Sequence, residues 1–197
     1  MPDDALQLPA RHGAEIFWSE LAPCEHLVQF YDSDGTLLDA LESFVAAGIA
    51  NGEGVALIAT PGHLNSLRRR LVGRGLDLIA AENEDRYIAL TAKEALSEFL
   101  FDGWPDETLF RNLVMRILHR AGAGGRRVRA FGEMVAVLWA QGNSSATMRL
   151  ERLWQQLCGE QAFSVFCAYP KGGFDHGASD SIRDICAAHS RVVHGPA

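Results

Sequence analysis

The sequence has no apolar run of the ~18–20 residues that a membrane-spanning helix needs. Its opening, Met1-Pro2-Asp3-Asp4, is acidic where a secretory leader would be basic and then apolar. Both absences point to a cytoplasmic protein without a membrane partner. A basic excess is also missing, because 18 Lys and Arg stand against 25 Asp and Glu, for a formal net charge of −7. Non-specific nucleic-acid binding needs a phosphate-neutralising basic face, so nucleic acid is not an expected partner. The arginines at 68–70 and at 126, 127 and 129 read as solvated faces. The four cysteines, Cys24, Cys158, Cys167 and Cys186, form no C-x-x-C. Cys24 and His26 make a C-x-H pair, but no second pair stands at zinc spacing, and no metal site is expected. Cys158 and Cys167 read as small buried hydrophobes. His119 and His189 have no partner at i+4.

What is present is a regular alternation of two patterns. Short, nearly continuous apolar runs suit strands covered on both faces, and runs with apolar residues at helical spacing suit core-facing helices. The first such unit, His26 to Ile49, reads as a strand (Leu27 to Tyr31), a polar turn (Asp32-Ser33-Asp34) and a helix whose stripe is Leu37, Leu38, Leu41, Phe44, Val45 and Ile49. Asp34 is the expected cap, and Gly48 or Gly52 the stop. Further strands are expected at Val55 to Ala59, Tyr87 to Leu90, Val128 to Phe131 and Phe163 to Tyr169. Helices are expected after each, including Ala92 to Phe101, one bearing Leu150, Leu153, Trp154 and Leu157, and a closing one from Ser179 to His189. Residues 1–22 read as an irregular N-terminal extension, in which Ile16-Phe17-Trp18 docks on the core. Residues 23–195 read as one α/β domain, a mostly parallel sheet with helices on both faces. There is no internal repeat, heptad pattern or interdomain linker.

Ligands of open α/β sheets bind beyond the carboxyl ends of the strands. The candidates there are Tyr31, Asp32, Asp34, Thr60, Glu133 and Tyr169, with Lys171 and Thr91 alongside. A phosphate loop of the form G-x-x-x-x-G-K-[ST] is absent, and the turn from Asp32 to Thr36 is too short and too acidic to replace one. The glycine cluster at 122–125 follows a helix and precedes a strand, which is the wrong end of the sheet. The Asp32-Ser33-Asp34-Gly35 run is not a calcium loop, since glycine falls at its fourth position and Ser43 at its twelfth. No G-x-S-x-G nucleophile elbow occurs. Glu133, just after a buried strand, is the most suggestive single carboxylate, with Arg129 as a potential pair. Glu151 reads equally as a surface group or a buried polar contact.

The segments H-L-V-Q-F-Y (26–31), A-T-P-x-H (59–63), R-A-F-G-E-M (129–134), R-L-E-R-L-W (149–154) and F-C-A-Y-P (166–170) together resemble the MEDS domain, a sensory-domain family. The resemblance implies a RecA/KaiC-like fold without its phosphate loop, hence no standard ATP or metal site, and a cofactor that stays unknown. It implies signal input: a small-molecule ligand, or a partner such as a histidine kinase or other signalling protein, with a homodimer also open. Positions carried over from its motifs are His26, Tyr31, Glu133, Glu151 and Tyr169. The expected pocket is lined by Tyr31, Glu133 and Tyr169, with His26, Arg129 and Glu151 in support. With no kinase or helix–turn–helix segment visible, output is expected through a separate partner. The rival expectations are a nucleotide-binding enzyme with a non-standard phosphate site, and a ligand-free interaction module docking near Trp18 or Trp104.

Overall fold

Five of the apolar runs, joined by one further short strand, form one sheet: β1 (His26–Tyr31), β2 (Gly54–Ala59), β3 (Tyr87–Thr91), β6 (Val128–Gly132), β7 (Ser164–Pro170) and the further β8 (Arg191–Val193). The computed structural model describes residues 18–174 and 179–193, so Ile16, Phe17 and part of the loop after Pro170 lie outside the described residues. The strand order is β3-β2-β6-β7-β1-β8, and every pairing is parallel. A two-stranded hairpin, β4 (Leu100–Phe101) with β5 (Trp104–Pro105), stands apart.

Parallel strands need crossovers, and helices supply them. They are α1 (Asp34–Ala50), α2 (Pro61–Gly73), α3 (Leu78–Asn83), α4 (Ala92–Phe99), α5 (Glu107–Ala121), α6 (Met134–Ala140), α7 (Ser144–Gln161) and α8 (Ser179–Ala187). Successive strand side chains point to opposite faces. Leu27, Tyr31, Val55, Leu57, Phe131 and Phe166 therefore pack under α1, α2 and α3, against Leu37, Leu41, Phe44, Leu67 and Leu78. Val28, Phe30, Ala56, Ala130, Cys167 and Tyr169 pack on the other face, against α4 to α8. The result is three layers, as the alternation implied. Trp18 rests on Phe44 and Phe166, at 5.4 and 5.2 Å between ring centroids, so the described part of the N-terminal patch docks on the protein's own core.

Three elements were not expected, and each is too short to show a period: α3 has six residues, β8 three, and the hairpin strands two each. The helix expected to reach Phe101 stops at Phe99, because Leu100 turns extended to pair with Pro105. Asp34 is not the cap of α1. The Ser33 hydroxyl accepts from the Thr36 N–H, and Asp34 is the first helical residue, its carboxylate left for other partners.

Gly48 is not a helix stop either, since α1 runs on to Ala50. A Cβ at Gly48 would lie 2.8 Å from both Arg129 Cδ and Val55 Cγ2. The missing side chain admits the buried Arg129, which pairs with Glu53 through Nε and Nη2 and donates to the Phe44 and Trp18 carbonyls at 3.0 Å each. Gly48→Ala is expected to cost about 1–3 kcal/mol by overpacking. The control, Gly159→Ala on the open face of α7, where nothing among the described residues lies within 4 Å, should gain ~0.5–1 kcal/mol. Urea denaturation reads both, and equal effects at the two sites would contradict the packing around Arg129.

Candidate functional site

The carboxyl ends of β1, β2 and β6 set Tyr31, Thr60 and Glu133 along one edge of the sheet, beside the amino ends of α1 and α2. Glu133 is buried, with a side chain 5% exposed. Its two oxygens are both used: Oε2 accepts the Thr60 backbone N–H at 2.8 Å, and Oε1 pairs with His63 Nδ1 at 2.8 Å. Thr60 caps α2 by position only, with no side-chain hydrogen bond, and Pro61 follows at the first helical position. This start aims His63, in the first turn of α2, across to Glu133. The other face of the ring, Nε2, lies 3.4 Å from Asp34 Oδ1. Asp34, His63 and Glu133 thus form a line that joins α1, α2 and β6.

The electrostatics follow from this line. A carboxylate on each side favours the imidazolium, so the His63 pKa is raised: the Glu133 hydrogen bond is the largest cause, burial opposes it, and Asp34 adds to it. Burial and the charges of Glu133 and Asp34 push the Tyr31 phenol up, which keeps it neutral. Asp32 and Lys171 form an exposed pair at 2.7 Å, of a kind worth little to stability.

The other expected residues lie elsewhere. Tyr31 and Tyr169 sit on neighbouring strands one register step apart, with Phe30 opposite Tyr169, so their side chains leave opposite faces. The single pocket expected from Tyr31, Glu133 and Tyr169 therefore divides in two. Arg129 does not pair with Glu133. It sits at the start of β6 with Glu53, at the amino end of the strands. Thr91 caps α4 in a reciprocal box with Glu94.

Tyr169 belongs to a second cluster, buried between β1, β7, α7 and the chain after α8. At its centre Glu151 is fully buried. Its Oε1 accepts the Tyr169 hydroxyl at 2.5 Å. Its Oε2 lies 3.3 Å from His26 Nε2, 3.3 Å from His189 Nε2 and 3.5 Å from Cys167 Sγ. Burial alone would raise the Glu151 pKa, but the imidazoles of His189 and His26 reverse this and hold it well below the usual carboxylate range. Burial lowers His26 and, with Glu151 beside it, pushes the Cys167 thiol well up. Four side chains of metal-ligating types, His26, Glu151, Cys167 and His189, converge here. A third feature, a cleft of about 390 Å³ along the edge strand β3, shares no residue with either cluster.

Sequence reasoning missed His63 and His189. A signal existed for His63: it sits three residues past Thr60, in the first turn of a helix that begins at the carboxyl edge. His189 carries none, since the other side chains of its cluster are 22 or more positions away and no local spacing brings them together.

The family described as "MEDS: MEthanogen/methylotroph, DcmR Sensory domain" matches residues 25–190. The chain belongs to the MEDS family. No curated protein matches it. The matched span takes in both clusters of this MEDS domain, from His26 to His189. Among the described residues, no helix is long and apolar enough to cross a membrane.

The His63 line makes a pH prediction. A histidine whose folded pKa is raised above its ordinary 6.5 stabilises fully below that value and loses the contribution as pH rises through the folded value. His63→Gln keeps a donor toward Glu133 but cannot titrate. The stability advantage of wild type over His63→Gln should be largest below pH 6.5 and shrink above it. Thermal denaturation across pH reads this, and a gap that widens with pH would contradict the assignment.

Proposed function

We propose that this MEDS domain is a non-catalytic sensory module that binds a small molecule at the carboxyl edge of its sheet, over Tyr31, Asp34, His63 and Glu133. The observation that carries the reading is the Asp34–His63–Glu133 line. It spans two helix starts and a strand end, and one member, Asp34, is open to solvent, with a side chain 76% exposed. A ligand competing for Asp34 or His63 would change how α1 and α2 are held together, and it switches the protein only by its different affinity for the two arrangements. Asp32, Asp34 and Glu133 outnumber Lys171 and His63 in formal charge. That balance favours a neutral or cationic ligand with hydrogen-bonding groups over a nucleoside triphosphate. The family's sensory character supports a signalling role, and the reading places it in the cytoplasm, with a histidine kinase or other signalling protein as the recipient. A RecA/KaiC-like sheet stripped of its phosphate loop suits the same reading.

One observation favours a docking role as the route of output. Phe101 and Trp104, opposite each other in the β4–β5 hairpin, are 55% and 51% exposed. Large apolar side chains grouped in the open commonly mark contact surfaces.

Native mass spectrometry of protein purified from its own host tests the leading reading. A co-purifying small molecule is expected on wild type and should be absent from the Tyr31→Phe/Glu133→Gln double variant. Mg-ATP and Mg-GTP are expected to leave the melting temperature of wild type unchanged. A ligand retained equally by the double variant would move the site elsewhere, and stabilisation by either nucleotide would favour the enzyme reading.

A further inference from the structure

We propose that His26, Glu151, Cys167 and His189 form a closed four-ligand site for a divalent metal ion of the zinc class. The donors come from four separate parts of the chain: the start of β1, the middle of α7, the middle of β7 and the segment between α8 and β8. The ligand atoms of the four residues lie within 4.8 Å of one another. Four of the six separations are those of a coordination shell. With metal–N and metal–O bonds of about 2.0–2.1 Å and a metal–S bond of about 2.3 Å, a tetrahedron sets N and O donors about 3.3–3.4 Å apart and sulfur about 3.5–3.6 Å from its neighbours. Glu151 Oε2 is 3.3 Å from His26 Nε2 and 3.3 Å from His189 Nε2. Cys167 Sγ is 3.5 Å from Glu151 Oε2 and 3.6 Å from His26 Nε2.

The hydrogen bonds around the donors point the same way. His189 Nδ1 donates to the Ile185 carbonyl at 2.6 Å. That leaves Nε2 as the ring atom turned toward the Glu151 oxygen, and among the described residues Nε2 has no hydrogen-bond partner although its side chain is fully buried. A ring nitrogen and a carboxylate oxygen 3.3 Å apart in a dry interior call for a cation between them, a metal ion or a proton. Metal-ligating histidines are commonly oriented in this way, through a backbone carbonyl on the far ring nitrogen. The Tyr169 hydroxyl on Glu151 Oε1 plays the same orienting part for the carboxylate and leaves Oε2 for the ion.

The charges also close. Two neutral imidazoles, one carboxylate and one thiolate balance a 2+ ion, so no net charge is buried. On binding, the Cys167 S–H bond breaks, the sulfur lone pair goes to the metal, and the proton leaves to solvent. The mixed N, S and O set suits a borderline-soft ion over calcium or magnesium, which prefer oxygen alone. All four positions are protein ligands, which marks a structural site rather than a catalytic one. The ion would pin the edge of the sheet, because the residue after His189, Ser190, donates its backbone N–H to the His26 carbonyl at 2.7 Å just before β8 begins.

The test uses the full chain, stripped with a chelator and titrated with Zn2+ or Co2+. One equivalent of Zn2+ should bind and raise the melting temperature. Co2+ should give the intense visible bands of a tetrahedral site and a near-ultraviolet sulfur-to-cobalt band. Cys167→Ala should abolish the sulfur band, and Tyr169→Phe should weaken binding about 10–100-fold, as loss of an orienting partner does. Should Cys167→Ala fail to fold, the wild-type spectrum alone decides: bound cobalt without a sulfur band overturns the proposal. So does a folded wild type whose melting temperature neither metal changes, which would leave protons as the only cations in the cluster.

Discussion

Glu151 is a carboxylate without access to water, and most of the far side of the sheet is arranged to make that tolerable. An unpaired charge in such a place is costly enough that a group usually gives it up. Here it is kept, because a tyrosine hydroxyl, two imidazoles and a thiol surround it. Those four groups arrive from β7, β1 and the chain beyond α8. The carboxylate therefore fixes where α7 lies on the sheet and how the last described segment closes over it. His26 is held from behind as well: its backbone N–H donates to the Ser190 hydroxyl, which in turn donates to the His26 carbonyl. A single polar point thus ties together residues 26 and 190, nearly the two ends of the family match.

The two-residue period of the strands keeps this cluster separate from the carboxyl-edge line. Tyr31 and Tyr169 are neighbours in the sheet and yet face opposite layers. One layer holds α1 and α2, whose starts carry Asp34 out to solvent with His63 just beneath it. The other holds α7 and α8 around a closed interior. The first arrangement suits exchange with a small molecule, and the second suits permanent order. A sensory module needs both a region that responds and a frame that does not.

Much of this was legible in the residues. The alternation of apolar runs with helical stripes gave the parallel three-layer sheet. Tyr31, Thr60 and Glu133 do share an edge, because strand ends are readable from where apolar runs stop. The facing of side chains was not readable, since a continuously buried strand shows no alternation. That is why Tyr169 was expected beside Tyr31. The pairings of Glu151 with His189 and of Arg129 with Glu53 were also hidden, because each joins positions whose proximity depends on strand order rather than spacing. Gly48 was misread for a related reason: its use is to admit Arg129, a residue 81 positions away.

The central claim, that a charged Glu151 organises this side of the fold, is tested most directly by equilibrium unfolding of Glu151→Leu. The substitution keeps the volume and removes the charge. Removing one partner of a buried charged set costs about 3–5 kcal/mol. A loss of that size, with hydrogen-exchange protection falling in β8, is the result predicted here. A loss below about 1 kcal/mol, the level of a tolerated apolar swap, would contradict it.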